Sequence, residues 1–198
     1  MTATRRFRRR AAIAVFTAGA VTLTGCSPSP AQDASTEASA SSLESYGLAG
    51  LDARQIIEKL DTMPVAERPD DLIASVQPTD LVLTSRGQEL AALPLPEDQF
   101  YLSMAPYDTI THPCHLHSLT TCRGELANED VTITVTDEST GERIVEGAHT
   151  TYENGFVGLW LPRDSAVSVT VERGDRTATA RVTTDDDDPT CLTTLQLT

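Results

Sequence analysis

Apolar and polar residues alternate along the C-terminal half of this chain. Val131, Ile133 and Val135 take one side of an extended segment, and Thr132, Thr134 and Thr136 take the other. Val167, Val169 and Val171 repeat the scheme, as do Ala178, Ala180 and Val182. A period of two belongs to a strand with one face on a core and one in water. Ser139-Thr140-Gly141, Asn154-Gly155 and Arg173-Gly174-Asp175 supply the turns, where glycine and asparagine accept backbone angles that other residues resist. Evenly spaced strands of this kind predict an antiparallel β-sandwich over residues 111–198, with Trp160 as a core residue inside one strand. Near the end, Cys191, Thr193, Leu195 and Leu197 share a face, which predicts the Cys191 sulfur at the rim of the apolar layer.

The pattern differs upstream. Asp52 and Gln55 form a capping box, after which Ile56, Ile57 and Leu60 line one side of a helix that ends before Pro64. Short apolar runs follow at Leu72–Val76, Leu81–Thr84 and Gln99–Ala105, with a turn at Gly87 and with Phe100, Leu102 and Met104 on one face. The prediction is a small α+β unit over residues 43–110. Its core would be thin, so it should pack on the second domain or on another copy of the chain as a homodimer.

Ahead of both units, Arg5, Arg6, Arg8, Arg9 and Arg10 precede an apolar run from Ala11 to Leu23. That run is short for a membrane span and suits the core of a signal peptide. It ends in Leu23-Thr24-Gly25-Cys26, the pattern of a bacterial lipoprotein box, in which Cys26 is acylated after cleavage. Residues 1–25 are therefore expected to be a signal peptide and 26–42, rich in serine, alanine and proline, a disordered tether. The Arg5-Arg6 pair leaves the general and twin-arginine export routes both open.

Charge narrows the partners. The leader holds five arginines and no acids, so its removal takes the net charge from −14 to −19. No basic stripe remains to neutralise phosphates, which excludes nucleic acid. An anionic membrane surface is excluded on the same ground, leaving the acyl chains on Cys26 as the expected contact with lipid.

The candidate chemistry is concentrated in His112-Pro113-Cys114-His115-Leu116-His117-Ser118-Leu119-Thr120-Thr121-Cys122, which holds three of the four histidines and two of the four cysteines. With Cys26 spent on lipid, Cys114, Cys122 and Cys191 form an odd set in an oxidising compartment, so at least one must stay free, pair between chains or bind something. An extended segment would split the donors between two faces, and a helical turn would bring Cys114, His117 and Cys122 together. Neither presents all five groups to one ion, and Cys191 would complete the set from across the domain. Thiolate and imidazole suit soft metals, and the cuprous ion accepts two or three such ligands. Zinc is the weaker reading, because its structural sites use closely paired ligands and this spacing matches none of them. A disulfide, Cys122–Cys191 or Cys114–Cys122, is the structural alternative. The metal-ligand candidates are thus Cys114, Cys122, Cys191, His112, His115 and His117, with His115 and His117 ahead of His112 among the histidines.

Other features read as structure. His149 is a surface residue, Met104 a core residue, and Asp185-Asp186-Asp187-Asp188 a solvated acidic loop. No nucleophile elbow, phosphate loop or zinc-protease helix is present. No enzyme is predicted. The alternative function is a thiol redox protein that reduces metals or exchanges disulfides, although the chain has no Cys-x-x-Cys. A third reading is an interaction domain stapled by a disulfide.

The segments Phe100-Tyr101-Leu102-Ser103-Met104-Ala105-Pro106-Tyr107, Thr111 to Leu126, Asn154 to Asp164 and Asp187 to Leu195 together resemble the CueP family of exported bacterial copper-binding proteins. The resemblance spans about residues 45 to 198 and places Cys114, Cys122 and Cys191 on the family's cysteines, and His112, His115 and His117 on its histidines. It implies copper as the metal, a role in copper tolerance, and passage of the ion to copper-dependent exported enzymes. The lipoprotein box and tether depart from the family's soluble members and imply a station at the extracytoplasmic face of the cell membrane.

Overall fold

The computed structural model describes residues 43–198; the predicted leader, the Cys26 acylation site and the tether lie outside the described residues. Among the described residues, helix α1 (Ala53–Asp61) precedes a 3₁₀ turn at Val65–Glu67 and eleven strands. These are β1 (Leu72–Val76), β2 (Asp80–Ser85), β3 (Gln88–Pro94), β4 (Gln99–Met104), β5 (His117–Ser118) and β6 (Asp130–Asp137). There follow β7 (Arg143–Thr150), β8 (Val157–Pro162), β9 (Ala166–Arg173), β10 (Arg176–Thr183) and β11 (Cys191–Leu192).

The capping box is present as read: the Asp52 carboxylate accepts from the Gln55 amide, and the Gln55 side chain accepts from the Asp52 amide. Ile56, Ile57 and Leu60 are buried. They pack on a sheet ordered β3-β2-β1-β5.

A second sheet, β10-β9-β6-β7, shares a core with a third, β11-β4-β8. Val131, Ile133, Val135, Val167, Val169 and Val171 all face that core, as the period of two requires. The fold is therefore an α+β element joined to a sandwich of largely antiparallel strands, with β11 on β4 as its parallel pair.

The pairing does not respect a boundary at residue 110. Strand β4, from the first stretch, pairs with β8 through Phe100↔Leu161, Leu102↔Leu159 and Met104↔Val157. Strand β5, from the second, pairs with β1 through Ser75↔Ser118 and Val76↔His117. The reason is visible in β4, which is buried on both faces. Phe100, Leu102 and Met104 point into the sandwich core, each contributing roughly 2 kcal/mol by leaving water. Tyr101 points the other way, into the core beneath α1. The thin α+β core is thus covered by a strand of its own chain.

Trp160 departs from its predicted core position. Leu159 and Leu161 face the sandwich, so parity turns Trp160 to the opposite side. There it is half-buried against the α1 core, tilted on Tyr101 with ring centroids 4.8 Å apart and covered by the Arg54 guanidinium at 4.1 Å.

Candidate metal centre

The donor-rich segment is neither strand nor helix throughout. His117 sits in β5, where its amide donates to the Thr190 hydroxyl at 2.9 Å and that hydroxyl donates to the Val76 carbonyl at 2.6 Å. The Leu119 amide then donates to the Ala74 carbonyl. A single helical turn follows, closed by the Cys122 amide on the Ser118 carbonyl at 3.0 Å, and it swings the Cys122 sulfur back to accept from the Ser118 amide at 3.3 Å. From the far end of the chain, the Cys191 amide donates to the His115 carbonyl and the Thr193 carbonyl accepts from the Thr111 hydroxyl. Strand, turn and C-terminal segment together bring the donors to one place.

Cys114 and Cys122 place their sulfurs 3.7 Å apart, and the Cys191 sulfur lies 3.9 Å from His117 Nδ1. Two groups of ligand atoms each fall within 4.8 Å: His112, Cys114 and Cys122, and His117, Cys122 and Cys191. Cys122 belongs to both. All three cysteines are free thiols, so the described residues contain no disulfide. Cys191 packs with Ala105 and Phe156 at the edge of the sandwich, and the Phe156 ring stands 4.7 Å from His117 and 6.3 Å from His112.

Five of the six predicted ligands converge. His115 does not: it is exposed and its ring belongs to neither group, because its backbone is turned by the bond to Cys191. The order expected among the histidines is thereby changed, with His112 nearer the sulfurs than His115.

The residue that sequence reasoning missed is Asp61, at the end of α1. Its carboxylate is fully buried and accepts from the Tyr101 hydroxyl at 2.6 Å and the Asn154 amide at 3.1 Å, and it meets His117 Nε2 at 3.0 Å. The Ser103 hydroxyl stands at 3.4 Å. A signal did exist: Asp61 follows Ile57 by four residues, which puts a charge on the apolar stripe of the helix. Gly158 makes the approach of Tyr101 possible, since a Cβ there would overlap the tyrosine hydroxyl. Gly155, at φ +80°, lies against Gly124 so closely that a Cβ would come within 2.6 Å of its backbone. That contact ties the Cys122 turn to the loop carrying Asn154 and Phe156.

Burial alone would depress the His117 imidazolium, but the Asp61 carboxylate outweighs it and lifts the ring to about 9. For Asp61, burial pulls upward and the charge and hydrogen bond of His117 win, holding the carboxyl below its ordinary value. Hydrogen bonds from Cys114 and Cys191 lower the Cys122 thiol. In return Cys114 is pushed up to about 11 by Cys122, and Cys191 is raised by Cys114 and Cys122. Negative charge is thus drawn toward Cys122 and away from Cys114 and Cys191. A metal bound here competes with protons for the same sulfur and nitrogen donors.

Soft sulfur and nitrogen donors in threes, shielded by Phe156 and backed by a buried carboxylate, define a protein that binds a soft metal ion. Comparison with known proteins names the class. Residues 55–196 match the family described as Periplasmic copper-binding protein CueP. The crystal structure of S.CueP is 42% identical in sequence and superposes with a TM-score of 0.75, covering 80% of this chain and 96% of that one. Among curated proteins none matches. The chain belongs to the CueP family of periplasmic copper-binding proteins. Copper is the metal, bound outside the cytoplasm.

Proposed function

We propose that this protein is a lipid-anchored copper carrier, which holds copper at the extracytoplasmic face of the cell membrane and buffers it or delivers it to exported copper-dependent enzymes. The observation that carries the reading is that His112 with Cys114, and His117 with Cys191, both gather around the Cys122 sulfur. Such donors favour the cuprous ion, which is content with two or three ligands. The lipoprotein box at Leu23-Thr24-Gly25-Cys26 supports the anchor, and no helix among the described residues is long and apolar enough to cross a membrane. A net charge near −19 after cleavage of the leader keeps such proteins apart and concentrates cations near them.

Anaerobic titration of the reduced full chain with cuprous ion tests the metal reading. Cys122→Ser removes a donor from both groups and should lower affinity by a hundredfold or more. Equal affinity in the two proteins defeats the proposed site. The anchor is tested separately: palmitate labelling should mark the native chain and not Cys26→Ser, and the variant should leave the membrane fraction.

A further inference from the structure

The two donor groups differ in depth. His112, Cys114 and Cys122 are all half-buried, whereas His117 and Cys191 are 0% and 4% exposed. A cavity of about 290 Å³ has Cys114 and Cys191 together in its wall, with Leu102, Pro189 and Thr193. Both groups use the Cys122 sulfur, so an ion can pass from one to the other without leaving protein ligands.

We propose that these are two successive stations for a single cuprous ion: a shallow capture and release site (His112, Cys114, Cys122) and a deep holding site (His117, Cys122, Cys191), with Cys122 as the pivot. In the transfer the bond to Cys122 persists. Bonds from copper to Cys114 and His112 break as bonds to Cys191 and His117 Nδ1 form. The thiol proton of Cys191 goes to the departing Cys114 sulfur, and the His112 and His117 rings exchange as neutral donors. Copper stays cuprous and the protein keeps its charge, so no oxidant or reductant takes part. In this scheme Cys122 serves one ion at a time and does not bridge two. An acceptor protein then needs to reach only the shallow station.

The inference rests on the copper-carrier reading, and two variants of the reduced full chain separate the two. Cuprous bicinchoninate serves as donor and bathocuproine disulfonate as acceptor, both followed by absorbance in a stopped-flow instrument. Cys114→Ser should load and release at least tenfold more slowly than the native chain, and should lose less affinity than Cys191→Ser. Cys191→Ser should load at the native rate and release at least tenfold faster. His112→Ala and His117→Ala provide the same two arms should a serine variant lose its circular-dichroism spectrum. Cys114→Ser losing tenfold in affinity at an unchanged loading rate overturns the two-station scheme, as does a native chain that holds two ions. If the native chain binds no copper, the carrier reading itself fails.

Discussion

Asp61 makes the site depend on a residue that touches no metal. By accepting from Nε2 of His117, its carboxylate leaves Nδ1 facing the Cys191 sulfur. Outer partners of this sort typically change metal affinity 10- to 100-fold. Asp61→Asn keeps the shape and removes the charge, so cuprous affinity should fall within about that range. Imidazole ¹⁵N shifts should show the ring losing its fixed tautomer. Native affinity with native ¹⁵N shifts would assign Asp61 to structure alone. Asp61 was only faintly legible beforehand, because its partners Tyr101, Asn154 and His117 come from three distant segments. The cysteines and histidines were legible because their chemistry is rare and their spacing short. The place of His115 outside both donor groups could not be read from spacing, which does not reveal which way a ring turns when the Cys191 amide bonds to its carbonyl.

Among the elements, β4 bears the greatest consequence. Leu102 is 1% exposed in the sandwich core while Tyr101, beside it, anchors Asp61. Leu102→Ala should cost about 2–5 kcal/mol in chemical denaturation, since a cavity opens where both sheets converge. The strand itself could be read from alternation; its burial on both faces could not, because a polar Ser103 and a tyrosine mimic a solvated side. Element boundaries followed local signals well at the Asp52 capping box and the glycine turns. The domain boundary relied on sequence order, which long-range pairing by β4 and β5 ignores. The loop leading to His112 has its own fastener. Glu125 accepts from the Thr109 hydroxyl and from the amides of Asp108, Thr109 and Ile110. The Thr109 bonds lead in lowering its carboxyl from 4.5 to about 2. The stabilisation is therefore complete above about pH 4.5 and drains away as pH falls toward 2. In acid titrations Glu125→Gln should lack this component and be less stable than the native chain at neutral pH, with the two converging in acid.

At the scale of the molecule, copper binding and folding share one energy. A ligand at a thousand times its Kd stabilises the folded state by about 4 kcal/mol. For a domain of this size that corresponds to a rise in thermal midpoint of roughly 10 °C. Calorimetry under reducing, anaerobic conditions should show the rise with cuprous ion in the native chain and not in Cys122→Ser. Complete insensitivity of the native midpoint to copper would speak for a domain that merely uses its cysteines structurally.

The proposed deep station takes one of its sulfurs from Cys191, which lies 69 residues beyond Cys122 along the chain. A polypeptide that emerges N-terminal end first presents Cys114 and Cys122 before Cys191. Firm retention of copper would then wait on the docking of Cys191 beside His117.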